Sequence, residues 1–210
     1  MNAARAGMIR RISWQSLTAR LRNTPVARWI HSDHQLVVFR IVRPTDPARA
    51  DPAGPVRRDD WSDLEKFEVT ERWLTRDAFL ATAAVRLSQG EHVYTIADAE
   101  RLLSYGWLVP QQAASWLPAV EQELRYPPGA AVMYNAYTHP AARGRGYNGL
   151  VTKARIADAF LEFGAQAVYT AIEPHNLAAT RAKDGSGMAP WMELGCARRL
   201  GRTVKSRRML

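Results

Sequence analysis

The chain has 210 residues, of which 47% are apolar and 23% charged, enough for one domain, or one domain with an N-terminal appendage. No apolar run approaches the ~18 residues that a membrane-spanning helix needs, and the single cysteine excludes an internal disulfide. With 29 Lys and Arg against 20 Asp and Glu, the net charge of +9 favours anionic partners: a phosphorylated cofactor, nucleic acid or an acidic lipid surface.

The positive charge is concentrated at the two ends of the chain. Residues 1–32 contain six arginines and no acid, and residues 198–208 contain six basic residues and no acid. The N-terminal stretch lacks the apolar core of a secretory signal and is typical of a transit peptide or an amphipathic surface helix. We expect a helix over 8–22 that docks on the domain, with membrane contact as an open alternative. Both ends also fit an arginine-rich solvated surface.

The first half of the chain alternates strand-like and helical patterns. A Pro-rich charged segment predicts a loop, either a lid or an insertion, and two later strand patterns joined by a tight turn predict a hairpin. The predicted elements are a strand over 36–42, the loop over 44–60, a short strand over 67–70, a helix over 77–89 and strands over 92–97 and 101–109.

The second half contains the clearest helix of the sequence, over 146–163. Its apolar residues Leu150, Ala154, Ala157 and Leu161 line one side of the helix. A second apolar row, formed by Ile156, Phe160 and Phe163, indicates burial on two sides. The other predicted elements are a short helix or loop over 116–123, strands over 130–138 and 167–172, a helix over 176–182 and two strands around Gly201.

This order of elements predicts an α/β fold with a mixed, mostly antiparallel central sheet flanked by helices. The strand–helix–strand unit over 130–172 implies one parallel pair. We divide the chain into residues 1–60, with the basic helix, a strand and the Pro-rich loop, and a main domain over 61–210. Cys196 lies in a strand pattern, and we expect a small buried hydrophobe there.

Residues 137–149, YTHPAARGRGYNG, join the strand over 130–138 to the long helix. Gly144 and Gly146 alternate with Arg143 and Arg145 at the start of that helix. Glycine lets the backbone approach a ligand closely, and the first helical turn offers unpaired N–H groups and a positive dipole end. The segment therefore predicts a cradle for a diphosphate.

Two other phosphate-binding motifs, the Walker A loop and the dinucleotide-binding loop, can be compared with this segment. It lacks the G-x-x-x-x-G-K-[ST] pattern of a Walker A loop. It does match G-x-G-x-x-G through Gly144, Gly146 and Gly149, with Glu173 roughly where a ribose-binding acid of an NAD site stands. Five residues separate Thr138 from Gly144, however, whereas a dinucleotide turn follows its strand directly. An NAD-type oxidoreductase is thus the alternative.

Residues 140–146, PAARGRG, resemble the acetyl-CoA signature of the GNAT (GCN5-related N-acetyltransferase) superfamily, Arg/Gln-x-x-Gly-x-Gly/Ala after a strand. Arg143, Gly146 and Asn148 occupy the signature positions, and Asn148 departs from the usual Gly or Ala. Residues 173–179, EPHNLAA, resemble the strand end and Asn-led helix that follow in this family. The resemblance covers about residues 75–205.

The resemblance implies the GNAT fold and an acetyl-CoA-dependent N-acetyltransferase. In that family the cofactor's pantetheine enters a gap where two strands splay apart, and its diphosphate lies on the loop before the helix. The residues that the resemblance places at the cofactor are Ala136, Tyr137, Thr138, Arg143, Gly144, Arg145, Gly146, Tyr147, Asn148, Gly149 and Asn176.

The catalytic candidates are Glu173 and His175, which lie at the mouth of the expected splay. Either could accept the proton of an acceptor amine, and either also fits an ordinary exposed position at a strand end or turn. Asn176 fits an N-cap equally well. We expect a small-molecule amine acceptor, a cytoplasmic monomer or homodimer, and no metal ligand. A non-enzymatic basic module that binds nucleic acid or acidic lipid is the third hypothesis.

Overall fold

A computed structural model describes residues 31–46, 54–70, 74–183 and 185–210. The helix expected over 8–22 lies outside these residues. The helices are α1 (Trp61–Leu64), α2 (Arg76–Ser88), α3 (Tyr147–Leu161) and α4 (Leu177–Lys183), with 3-10 turns at Pro118–Val120 and Pro140–Ala142. None of the helices in the described part is long and apolar enough to cross a membrane.

The strands form one eight-stranded sheet and a separate hairpin. Their bounds are β1 (His31–Val42), β2 (Arg57–Arg58), β3 (His92–Ala97), β4 (Leu102–Val109), β5 (Ala114–Leu117), β6 (Gln122–Arg125), β7 (Ala130–Thr138), β8 (Ala167–Ile172), β9 (Ala189–Arg199) and β10 (Arg202–Met209). The large sheet has the order β10-β9-β1-β8-β7-β4-β3-β2, and β5 pairs with β6.

The pairing confirms the predicted mixed, mostly antiparallel sheet. β7 and β8 are the parallel neighbours, and each of the other pairings among the described strands is antiparallel. The predicted hairpin is β3–β4, and the two C-terminal strands are β9–β10. The division at residue 60 stays a prediction; β1, on its N-terminal side, is an interior strand between β8 and β9.

Local sequence explains where the two long helices begin and end. The Thr75 side chain accepts a hydrogen bond from the Ala78 N–H, at 3.2 Å, and so caps the first turn of α2. Gly146 stands at the N-cap of α3 with φ 76°, and Gly164 follows the helix with φ 64°. Both values lie in the left-handed region that favours glycine.

The sheet is covered on both faces. On one face, α3 packs Val151, Ala159 and Phe160 into a cluster with residues of the central strands. On the other face, α1 and α2 cover β3 and β4, and the β5–β6 segment covers β1, β8 and β9. Cys196 packs in the cluster beneath the β5–β6 segment and is 3% exposed, which confirms that it is a small buried hydrophobe.

Three local predictions differ from the structure. Residues 67–70 form no strand; the Phe67 ring instead stacks on Phe79, with ring centroids 4.0 Å apart. Residues 116–123, predicted as a short helix or loop, contain the 3-10 turn Pro118–Val120, but the residues on either side of it belong to the β5–β6 hairpin. In the first predicted apolar row of α3 the two alanines are buried, whereas Leu150 and Leu161 are 41% and 38% exposed.

Candidate functional site

β7 and β8 run side by side only at their beginnings. The parallel register joins Ala130, Ala131 and Val132 to Ala167, Val168 and Tyr169. Beyond Val132, β7 continues to Thr138 on its β4 side, and β8 continues to Ile172 on its β1 side. The two strands therefore diverge and leave a wedge between them.

An irregularity in β7 lies at the start of the wedge. Trp107 of β4 is opposite Tyr134, whereas Tyr105 is opposite Tyr137, so Asn135 and Ala136 together face one residue of β4. Asn135 has φ 48°, a left-handed conformation. Such a bulge leaves an unpaired residue in the ladder and redirects backbone groups. Here those groups belong to the strand that borders the wedge.

The wedge contains a cleft of about 240 Å³. Two diverging strands, the cleft-facing side of α3 and the segment after β8 form its walls. The lining residues are Met133, Tyr134, Asn135, Ala136, Asn148, Thr152, Arg155, Thr170, Ala171, Ile172, Asn176, Ala179, Lys183 and Met188.

The loop between β7 and α3 has an open, glycine-dependent conformation. Gly144 and Gly146 have φ values of 80° and 76°, and a Cβ atom added at either would meet no atom within 4 Å. The glycines are thus required by backbone conformation and leave space outside the loop. Arg143 and Arg145 are exposed, and the first turn of α3 supplies N–H groups without helical partners. These features fit the predicted diphosphate cradle.

The 3-10 turn that precedes this loop is held by His139. Its Nδ1 accepts a hydrogen bond from the Ala141 N–H at 3.2 Å, and its Nε2 lies 3.2 Å from Glu68 Oε2. The imidazole is buried, with 8% exposure. The position of the turn at the end of β7 is therefore fixed by a side chain outside the glycine motif.

Some of the predicted cofactor residues meet at the cleft. Ala136, Asn148 and Asn176 line it, from β7, α3 and the turn before α4. Asn148 Oδ1 is buried and has no hydrogen-bond partner among the described residues. Asn176 Oδ1 accepts from the Ala179 N–H at 3.0 Å, so it also caps α4.

Two predicted cofactor residues have side chains that are engaged elsewhere. The Tyr137 ring stacks on Tyr105, with centroids 5.4 Å apart, and its hydroxyl lies 2.6 Å from Thr70 Oγ1. Thr138 Oγ1 lies 3.1 Å from Ser104 Oγ. If these two residues contact a ligand, their backbone atoms provide the contact.

Glu173 and His175 are neighbours at the end of β8, and His175 Nε2 lies 3.0 Å from Glu173 Oε2. Their side chains are 44% and 82% exposed. Both line a second depression of about 290 Å³, next to Asp33, His34 and Gln35. The pair stands beside the cleft rather than inside it, one residue beyond Ile172.

Sequence reasoning missed Thr152 and Arg155, which line the cleft from α3. The prediction followed the apolar residues of the helix and so left its buried polar residues unassigned. A signal existed: Asn148, Thr152 and Arg155 recur at intervals of four and three, which places them on one side of a helix.

Neither a protein-family model nor a curated protein matches the sequence. Solved structures do match. A GNAT-family acetyltransferase from Colwellia psychrerythraea has a TM-score of 0.52 and 13% identity, over 84% of this chain and 58% of that chain. A putative acetyltransferase of the GNAT family from Novosphingobium aromaticivorans has a TM-score of 0.52 and 15% identity, over 85% of this chain and 66% of that chain. A GCN5-related N-acetyltransferase from Sphaerobacter thermophilus has a TM-score of 0.51 and 12% identity, over 92% of this chain and 56% of that chain.

These comparisons show that the chain has the GNAT fold, which confirms the resemblance indicated by the glycine motif. The chain spans 58%, 66% and 56% of the lengths of these three proteins. The fold does not support the NAD-type alternative, because a dinucleotide-binding sheet is mostly parallel and the described sheet has one parallel pair.

Proposed function

We propose that this protein is an acyl-CoA-dependent N-acyltransferase that uses acetyl-CoA and the amine of a small acceptor. One observation carries the proposal: β7 diverges from β8 and then leads into a glycine loop at the N-terminus of α3. A cleft between strands suits an extended chain, and a helix N-terminus with open glycines suits a diphosphate. Together they match the two ends of a coenzyme A molecule.

The chain's own residues fit the cofactor at both places. Residues 143–149 would hold the diphosphate through backbone N–H groups, with Arg143 and Arg145 adding positive charge. In the cleft, the bulge at Asn135 and Ala136 would expose backbone groups to the pantetheine amides. Asn148 Oδ1, a buried acceptor without a partner among the described residues, matches an amide N–H donor.

Acetyl-CoA supplies a thioester: the amine nitrogen attacks its carbonyl carbon, the new C–N bond forms, the C–S bond breaks and the thiolate leaves with a proton. The amine must lose a proton during this reaction. We assign that proton to the pair of His175 and Glu173. With Nε2 of His175 held by the carboxylate at 3.0 Å, Nδ1 is the ring atom that remains to accept it.

The proposed acceptor enters beside this pair, through the depression that Asp33, His34 and Gln35 share with it. Acidic and imidazole groups around an open depression suit a cationic amine, such as an amino sugar, a polyamine or a protein amine. The cofactor also supports a cytoplasmic location, where acetyl-CoA is found.

Thermal unfolding with acetyl-CoA, CoA and NAD tests the proposal. A ligand that binds only the folded state stabilises it, by about 2.7 kcal/mol at ~100 times its dissociation constant. We expect acetyl-CoA and CoA to raise the melting temperature and NAD to leave it unchanged. A shift with NAD alone would overturn the proposal. Release of free CoA thiol in the presence of a panel of amines and matched alcohols then tests transfer to nitrogen.

A further inference from the structure

Arg155 is a buried cation in the third turn of α3. It is 3% exposed and lines the cleft. Its Nε donates to the Val151 carbonyl at 3.3 Å, one terminal nitrogen to the Trp107 carbonyl at 3.1 Å and the other to Thr152 Oγ1 at 3.2 Å. All three acceptors are neutral. A guanidinium has five N–H groups, so two donors remain.

Arg155 has no acidic partner among the described residues: no carboxylate oxygen there lies within 4.0 Å of its nitrogens. Asp158, one turn along the same helix, is bound to Arg58 and the Tyr94 hydroxyl, each at 2.8 Å. Burial lowers the pKa of Arg155 to about 10, which still leaves it charged at neutral pH. Buried charges in proteins are normally paired, because desolvation is costly.

The surroundings of Arg155 keep space for its head group. Gly106 of β4 faces it, and a Cβ atom added there would stand 2.7 Å from Arg155 Cζ. Asn148, Thr152 and Arg155 form a polar row along the cleft side of α3. Seven residues of helix separate Asn148 from Arg155, roughly 10 Å. The row thus leads from the diphosphate loop to a buried cation that lines the cleft.

We propose that Arg155 binds a carboxylate at the end of the acyl chain, so that this cleft prefers acyl-CoA donors of the malonyl or succinyl type over acetyl-CoA. The inference rests on the proposed acyl-CoA function and specifies its acyl group. The oxygens of a carboxylate would accept hydrogen bonds from the two remaining N–H groups of Arg155 and would neutralise the buried charge. The cofactor would then supply the acid that the described part of the chain lacks at this position.

Dissociation constants of the purified full-length protein for CoA, acetyl-CoA, butyryl-CoA, malonyl-CoA and succinyl-CoA test this. Succinyl and butyryl chains differ in their terminal group, carboxylate against methyl, and are otherwise matched. We expect succinyl-CoA or malonyl-CoA to bind at least about tenfold more tightly than butyryl-CoA, since a carboxylate forms charge-assisted hydrogen bonds with a guanidinium and a methyl group forms none. Equal affinities for succinyl-CoA, malonyl-CoA and butyryl-CoA would overturn the inference. If neither CoA nor any of its four thioesters binds, the proposed function is overturned instead.

Variants of Arg155 and its neighbours distinguish recognition of the acyl carboxylate by Arg155 from a purely structural role of this residue. Arg155→Met should remove the preference and keep CoA affinity within about threefold, and Arg155→Lys should restore part of it. If the Met variant does not fold, Gly106→Ala tests the same point, because its methyl group displaces the guanidinium and keeps the charge. Arg145→Met is the matched control: it should weaken all CoA esters equally. A preference that survives both Arg155→Met and Gly106→Ala would assign the carboxylate to another residue and overturn the inference.

Discussion

At the scale of single residues, the glycine loop depends on backbone conformation rather than on close packing. Gly146 has φ 76°, and no protein atom would meet a Cβ added there within 4 Å. A side chain is therefore disfavoured by the left-handed backbone, and the space beside Gly146 is open to a ligand. This separates the effect of a substitution on ligand binding from its effect on the core.

Gly146→Asp should abolish measurable CoA binding and leave a folded protein. The side chain would force the loop away from its conformation, and the carboxylate would repel the diphosphate. Strain at one such residue costs on the order of 1–3 kcal/mol, less than the usual stability of a domain. Calorimetric titration with CoA measures the binding, and circular dichroism measures the fold. Unchanged affinity in the variant would show that the diphosphate does not lie on this loop.

Glu173→Gln provides the contrasting variant. It keeps the shape of the side chain, removes its charge and lies outside the diphosphate cradle. We expect CoA affinity within about threefold of the parent and at least a tenfold lower turnover, because the carboxylate no longer supports charge on His175. Steady-state rates with a productive amine test this. Loss of CoA binding, with turnover intact at saturation, would contradict the assigned role.

Cys196 should not take part in catalysis. It is 3% exposed and packs in β9 with Leu194 and Val38, on the face of the sheet away from α3. Direct transfer to an amine needs no enzyme thiol. Cys196→Ser should keep the rate of acyl transfer within about threefold and lower stability through a buried hydroxyl. A variant that binds CoA normally but is inactive would indicate a covalent acyl-cysteine route.

At the scale of elements, a buried carboxylate fastens α1 to the edge of the sheet. Asp63 is 0% exposed. It accepts hydrogen bonds from Arg57 Nε of β2 and from Thr95 Oγ1 of β3, both at 2.7 Å. The same carboxylate contacts the terminal nitrogen of Arg57. One side chain thus joins α1, β2 and β3.

Asp63→Ala should lower the free energy of unfolding by about 2–3 kcal/mol, since Thr95 loses its partner in the core and Arg57 loses a charge-assisted bond. Chemical denaturation measures this. The matched control is Arg125→Ala, which removes a surface pair with Glu123 whose side chains are 84% and 50% exposed. Exposed pairs contribute little, so that variant should change stability by less than about 0.5 kcal/mol. Equal effects of the two substitutions would contradict the structural role of Asp63.

The elements that sequence predicts well are those with strong local signals. β3, β4, β7 and β8 are apolar runs bounded by turns, and α2 and α3 show clear helical spacing. The β5–β6 hairpin escapes prediction because its strands are four residues each and their burial comes from contacts with β1 and β9. The side of α3 that faces the core is likewise set by packing, since its buried row includes Thr152 and Arg155.

The candidate site likewise has parts that the local sequence predicts and parts that depend on packing between distant residues. Its glycine loop could be predicted locally, because glycine is the residue that left-handed backbone conformations favour, and the glycines are visible in the sequence itself. The divergence of β7 from β8 and the bulge at Asn135 depend on which strands pair, a property of residues far apart in the chain. The contact of Glu173 with His175 follows from the turn after β8. That Arg155 has no carboxylate partner among the described residues depends on the folded positions of its neighbours.

At the scale of the whole molecule, β1 joins the two halves of the sheet. It pairs with β8 on one side and β9 on the other, and Val38 has no exposed surface. Its residues contribute to the clusters on both faces, with Phe39 on the α3 side and Leu36 on the opposite side. The last two strands are therefore connected to the cleft through β1.

Two truncations follow from this position. A chain that begins at residue 31 keeps β1 and the complete glycine loop, and nothing in the removed arginine-rich sequence resembles a phosphate cradle. We expect it to bind CoA within about threefold of the full chain. A chain that begins at residue 44 loses β1, so β8 and β9 lose their shared neighbour and the apolar side chains beneath it become exposed. That chain should not fold cooperatively, as heat denaturation followed by near-ultraviolet circular dichroism would show. Loss of CoA binding by a well-folded chain that begins at residue 31 would place the N-terminal arginines in the site, and cooperative unfolding of the shorter chain would contradict the role assigned to β1.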